Sequence, residues 1–91
     1  MDEPTLYEVE IIKPALKVLR RLPRDLAERI TRSIDALAVD PRPRGYKRLK
    51  GYENLYRIRV GDWRVNYAIE DDKLIVIVMK IAPRGRAYRN L

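Results

Sequence analysis

Leu55-Tyr56-Arg57-Ile58-Arg59-Val60-Gly61-Asp62-Trp63-Arg64-Val65-Asn66-Tyr67 is the stretch that decides the fold. Apolar and polar residues alternate through both halves, the period of a half-buried strand. Gly61-Asp62 between them is a two-residue loop with glycine first, which suits a type II′ hairpin turn. Such a turn fixes the register. Val60 then faces Trp63, Arg59 faces Arg64, Ile58 faces Val65, Arg57 faces Asn66 and Tyr56 faces Tyr67. One side collects Tyr56, Ile58, Val60, Trp63, Val65, Tyr67 and Ile69, and this is the predicted core face. The other side collects Arg57, Arg59, Arg64 and Asn66. Like charges opposed across a strand pair are destabilising. A solvated sheet face is expected to mix signs, yet Glu70 is the nearest balancing acid. The pattern points to a face kept for an anion.

The elements on either side follow from periodicity and from the prolines. Thr5–Ile11 alternates as a strand. Pro14 suits the first turn of a helix carrying Ala15, Leu16, Val18, Leu19 and Leu22. Pro23 restarts the chain, and Leu26, Ile30, Ile34 and Leu37 recur at helical spacing. Two helices so closely joined are expected to form an antiparallel hairpin. Residues 40–51, broken by Pro41, Pro43 and Gly45, read as a loop rich in cations. Three strands follow: Leu55–Val60, Trp63–Glu70 and Lys73–Ala82. The last is apolar on both sides from Leu74 to Met79, as in a central strand. A two-residue turn at Asp71-Asp72 would pair Ile69 with Leu74, with a four-residue loop as the alternative. That pairing puts Ile75, Ile77 and Met79 beside the arginines. The tail from Pro83 reads as a loop. The expected fold is therefore α+β in β-α-α-β-β-β order, an antiparallel sheet covered on one face by a helical hairpin. One domain spans residues 1–91.

Composition narrows the chemistry. The chain has neither cysteine nor histidine. This excludes disulfides and thiolate metal sites, and removes the commonest general base. No metal and no small-molecule cofactor is expected. No signal peptide or membrane-spanning run is read, and a cytoplasmic location follows. Residues 1–40 carry seven cations against eight acids, and residues 41–91 carry thirteen against five. The whole surplus behind the formal charge of +7 is thus C-terminal. Such an excess attracts polyanions by releasing counterions from phosphates. Lys47, Arg48 and Lys50 in the loop are candidates for RNA binding. So is the tail, where Arg84, Arg86 and Arg89 surround Gly85 and Tyr88.

Arg48-Leu49-Lys50-Gly51 followed by the hairpin resembles the central signature of the RelE/ParE toxin superfamily. The leading strand and helix pair, and the closing Arg84-Gly85-Arg86-Ala87-Tyr88, extend the resemblance over nearly the whole chain. RelE-type members cleave messenger RNA in the ribosomal A site, and ParE-type members poison DNA gyrase. The Arg84-to-Tyr88 spacing resembles the ribonuclease branch. The resemblance therefore implies a ribosome-dependent endoribonuclease toxin held by a RelB-like antitoxin, with messenger RNA on the ribosome as target. It assigns catalytic roles to Arg59, Arg64, Arg84 and Tyr88, and RNA contacts to Arg57 and Arg86. Some members carry lysine where this chain has Arg57 and Arg59, and many carry histidine where it has Pro83. The expected site therefore lacks an obvious base and relies on arginine stabilisation of the phosphorane and on alignment. A gyrase-directed toxin and an inactive RNA- or antitoxin-binding module are the alternatives.

Overall fold

Val9 and Ile11 alternate with exposed Glu8 and Glu10 in the first strand, β1 (Glu8–Ile11). The computed structural model describes residues 6–85, so the expected strand's first residue, Thr5, lies outside them. Helix α1 (Lys13–Arg21) opens with Pro14 in its first turn, where a missing N–H costs nothing. Pro23 caps α2 (Arg24–Ala36) two residues after α1 ends. Then come β2 (Lys47–Arg48), β3 (Leu55–Val60), β4 (Trp63–Glu70) and β5 (Ile75–Pro83). The strands form one sheet in the order β1-β5-β4-β3-β2.

The α+β architecture, the helix pair on one face and the central place of β5 match the sequence reading. Two features depart from it. β1 joins β5 in parallel, so the sheet is mixed, with only β2 to β5 antiparallel. The apolar flank of β5 needs a neighbour on each side, and the two-helix connection returns the chain with β1 aligned to it. Lys47–Arg48, read as loop, is a short edge strand, with Lys47 opposite Arg57 and Arg48 opposite Tyr56. Prolines and glycine around it hide so short a strand from any periodicity test.

The core lies between the helices and one face of the sheet. Ala15 and Leu19 of α1, with Ile30, Ile34 and Leu37 from α2 and its end, meet Tyr56, Ile58, Val60, Val65, Tyr67, Ile69, Val76 and Val78. Burying each large aliphatic side chain stabilises by about 1.5–3 kcal/mol. The β3–β4 register is the one the turn requires, from Val60 opposite Trp63 to Tyr56 opposite Tyr67. Gly61 has φ +60° while Asp62 does not have positive φ, which is the type II′ combination.

The β4–β5 turn is the four-residue Asp71–Leu74 loop, because Glu70 pairs with Ile75 and Ile69 with Val76. The expected pairing of Ile69 with Leu74 was thus displaced by two residues. An even slip preserves the faces, so Ile75 and Ile77 still share the arginine side. Leu74 closes this turn at φ +56°, a conformation costing a non-glycine residue roughly 1–2 kcal/mol. A lock holds the turn in place. Arg42 donates to both oxygens of Asp71 at 3.1 and 2.9 Å, and the Tyr7 hydroxyl donates to Asp71 Oδ1 at 2.8 Å. Arg42 also lies over the Tyr56 ring, 5.1 Å from its centroid. Buried Tyr67 donates its hydroxyl to the Pro41 carbonyl at 2.7 Å, fixing the loop that leads to β2.

The Arg42 guanidinium, and then the Tyr7 hydroxyl, hold the Asp71 carboxyl down at about 2. A depressed carboxylate contributes stability above its unfolded value and loses it as pH falls through the folded one. Asp71→Asn is therefore expected to flatten the decline in stability between about pH 4 and pH 2, measured by urea unfolding across that range. An unchanged acid limb would mean that the lock does not bear on folding.

Candidate functional site

The face of the sheet away from the helices carries the candidate site, and the strand pairings define its rows. Lys47, Arg57, Asn66 and Lys80 stand opposite one another across four strands. Arg59, Arg64 and Ala82 form the next row towards the hairpin tip. Arg84 follows β5 directly, and its backbone N–H donates to the Asp62 carbonyl at 2.7 Å. That bond ties the start of the tail to the β3–β4 turn.

A β-bulge puts Lys80 in this company. The β4–β5 register shifts between Asn66 and Tyr67, so Tyr67 opposes Val78, Asn66 opposes Lys80, and Met79 is the extra residue. Without the extra residue, Lys80 would oppose Val65 in the core. With it, Ile81 takes that place and is 2% exposed. Met79, expected beside the arginines with Ile75 and Ile77, is the unpaired residue of the bulge and stays exposed. Sequence reasoning missed Lys80, although the clue was present: alternation carried on from Val76 and Val78 buries a lysine.

Arg64 lies on the second face yet is only 5% exposed, and Asn66 only 1%. Arg59 is thus exposed, Arg57 half-buried and Arg64 buried, a gradation that residue type and alternation do not foretell. Burial comes first, then the nearby charges of Arg57, Arg59 and Arg84, in pushing Arg64 below the usual guanidinium range. Arg57 is lowered by burial and by Arg59. Both remain cations, since guanidinium does not give up its proton near neutral pH. The cluster is therefore a charge assembly held against its own repulsion.

Beyond β2, the backbone of β3 from Ile58 to Val60 is a sheet edge. A cleft of about 640 Å³ wraps this edge. It is lined by Ser33 and Ala36 of α2, by Pro43, Arg44, Gly45 and Lys47, and by Arg57, Ile58, Arg59 and Arg64. Among the described residues, no carboxylate lines it. Arg44 was noticed in the sequence only as a loop cation, and here it joins the cleft wall. Arg48 and Lys50 lie apart, in a separate depression with Leu49, Gly51, Tyr52 and Glu53, where Arg48 donates to the Glu53 carbonyl at 3.1 Å. Arg86 and Tyr88 lie outside the described residues. Among the described residues, no group of three or more carboxylates could hold a metal ion.

The arrangement suits a tetrahedral or bipyramidal phosphate. Guanidinium groups bind phosphate oxygens bidentately and in fixed planes. Arg64, held by burial, is preorganised in the way that makes such donors effective in a transition state.

Comparison with known proteins gives a consistent result. Residues 9–88 match the family described as ParE toxin of type II toxin–antitoxin system, parDE. A relative designated RelE1 in Methanocaldococcus jannaschii is 39% identical over 87 residues, covering 92% of this chain and 97% of its own. The toxin RelE of Mycobacterium tuberculosis is 33% identical over 90 residues, covering 98% of this chain and 93% of its own. Among solved structures, the archaeal RelE–RelB complex from Pyrococcus horikoshii superposes with a TM-score of 0.79 at 35% identity, covering 89% of this chain and 98% of that one.

The charge of Arg64 has a measurable consequence. Arg64→Met keeps the length of the side chain and removes the guanidinium, so added phosphate is expected to raise the wild-type melting temperature by more than the variant's. Equal gains would mean that Arg64 does not hold the anion.

Proposed function

The chain belongs to the RelE/ParE family of toxins of type II toxin–antitoxin systems, and on that premise we propose that it is an endoribonuclease acting on messenger RNA held by the ribosome. The observation that carries this reading is the acid-free cleft in which Arg57, Arg59 and Arg64 converge with Lys47. In the proposed reaction, a ribose 2′-oxygen attacks the adjacent phosphorus and the 5′-oxygen leaves. The products are a 2′,3′-cyclic phosphate and a 5′-hydroxyl end. Arg64 and Arg59 stabilise the charge gathering on the phosphorane, with Arg84 closing over it from the hairpin tip. Arg57 and Arg44 grip flanking phosphates. Tyr88, acting as the phenolate favoured by the arginines beside it in sequence, takes the 2′-hydroxyl proton, the Lys47 ammonium gives its own proton to the leaving oxygen, and exchange with water resets both.

With no histidine in the chain and no carboxylate among the described residues of the cleft, the rate rests on alignment and charge. Alignment alone can supply about 7–11 kcal/mol. A ribosome that holds the RNA in line provides it, which gives a physical reason for the proposed dependence. The natural inhibitor in this reading is a RelB-type antitoxin. Its acidic, amphipathic segment would cover the arginines and the partly exposed Ile75 and Ile77. The work would be done in the cytoplasm, where ribosomes are.

Purified protein added to ribosomes programmed with a defined message is expected to cut it, and Arg64→Met or Arg59→Ala to lower the rate by about 10²–10³-fold each. Intact message together with blocked supercoiling by DNA gyrase would replace this reading with the gyrase-directed one. The family description leaves room for that outcome.

A further inference from the structure

α2 presents a second set of cations that does not belong to the site described above. Arg29, Arg32, Ser33 and Ala36 recur at helical spacing and form one stripe. Ile30 and Ile34, on the neighbouring stripe, are buried in the core. Arg29 and Arg32 are exposed, and among the described residues neither forms an ion pair. Glu28, one turn before Arg32, is engaged by Arg24 at 3.3 Å. A groove of about 480 Å³ runs between this stripe and the β3–β4 hairpin, lined by Arg29, Arg32, Ser33, Arg59, Val60 and Gly61.

Three details make this groove more than a basic patch. It shares Ser33 and Arg59 with the arginine cleft, so the two depressions meet along one wall. Among the described residues no carboxylate lines either of them, although α2 carries three acids of its own. In addition, the Arg29 guanidinium rests over the hairpin turn, and a Cβ at Gly61 would come within 3.2 Å of it. Gly61 is needed for its positive φ and also leaves room for that guanidinium. The helix stripe is thereby fitted to the same turn that sets the register of the cleft.

We infer that the groove continues the RNA track: single-stranded RNA leaving the scissile phosphate crosses Arg59 and lays its next phosphates against Arg32 and Arg29. The inference rests on the ribonuclease reading and extends it from a cleavage centre to a path for the strand. An acid-free groove that follows a backbone is the usual means of holding single strands without regard to sequence. Each cation that meets a phosphate also releases a counterion, and that release can be counted.

The test uses non-cleavable 2′-O-methyl oligonucleotides of about 4 and about 12 nucleotides, bound by the full chain and by R29A/R32A over a range of salt. Each phosphate contact on a single strand contributes about 0.7 to the slope of log affinity against log salt. Losing two contacts should reduce the slope for the long oligonucleotide by about 1.4 and leave the short one unchanged. R29K/R32K should restore the slope. Unaltered melting of R29A/R32A confirms that the fold is kept. Equal slopes for wild type and R29A/R32A on the long strand would overturn the subsite alone. Failure of the wild type to bind either oligonucleotide would also overturn the subsite, whereas the ribonuclease reading fails only if message on the ribosome stays intact. A polyglutamate peptide that binds through Arg29 and Arg32 as tightly as the long RNA would assign the groove to an acidic protein and refute the inference.

Discussion

A two-residue turn forces guanidinium groups together that would otherwise stay apart. With Gly61 at positive φ, the β3–β4 hairpin has one register, and in it Arg59 stands opposite Arg64 with Arg57 alongside. The opposed pair costs on the order of 0.2–1 kcal/mol, and the burial of Arg64 adds to that. What holds the arrangement is the other face of the same strands. Tyr56, Ile58, Val60, Val65, Tyr67 and Ile69 are all buried against the helices. Sliding the register by one residue would turn every one of them to the wrong side. The core therefore enforces the crowding of charge, and in the proposed function an anion entering the cleft would relieve the repulsion. Stability is spent where binding recovers it.

The bulge at Met79 and the lock at Asp71 place the remaining parts around that hairpin. The bulge lets β5 cover the core with Ile81 while turning Lys80 to the charged face. The lock joins the loop after α2 to the β4–β5 turn and to Tyr7 just before β1. Tyr46, Tyr56 and Tyr67 stack in a tilted series beneath Arg42, with centroids 6.0 and 5.9 Å apart. Arg44 and Lys47 follow Arg42 within five residues and so reach the cleft from a fixed base. Along the sheet face, charge changes in order. Glu8, Ile75 and Glu70 form the row at one end, Glu10, Ile77 and Ala68 the next, and the cations fill the rows towards the hairpin tip. One surface thus offers separate footing for a polyanion and for an amphipathic chain.

Local features of this fold were legible in the sequence, and non-local ones were not. The hairpin register follows from thirteen consecutive residues because turn chemistry and alternation agree there. The face of Ile75 and Ile77 came out right despite the wrong loop length, since a slip of two preserves parity. The bulge was missed because the run from Leu74 to Met79 is apolar throughout, and its one mark is that alternation from Val76 and Val78 would bury Lys80. The parallel pairing of β1 depends on how two helices return the chain, which no local pattern encodes. Residue type shows the charge of Arg64 but not its burial. Arg29 and Arg32 look like any exposed helix arginines until the fold sets the hairpin beside them.

The central claim is that a phosphodiester settles among Arg57, Arg59 and Arg64 and relieves their repulsion. Arginine Nε–H resonances in nitrogen-15-labelled protein report this directly during titration with a non-cleavable RNA dinucleotide. The account predicts large, saturable shifts at Arg59 and Arg64 at the same ligand concentration that raises the melting temperature, with Arg20 and Arg24 on the helices unmoved. Shifts spread evenly over all arginines, or a rise in melting temperature while Arg64 stays unperturbed, would contradict it.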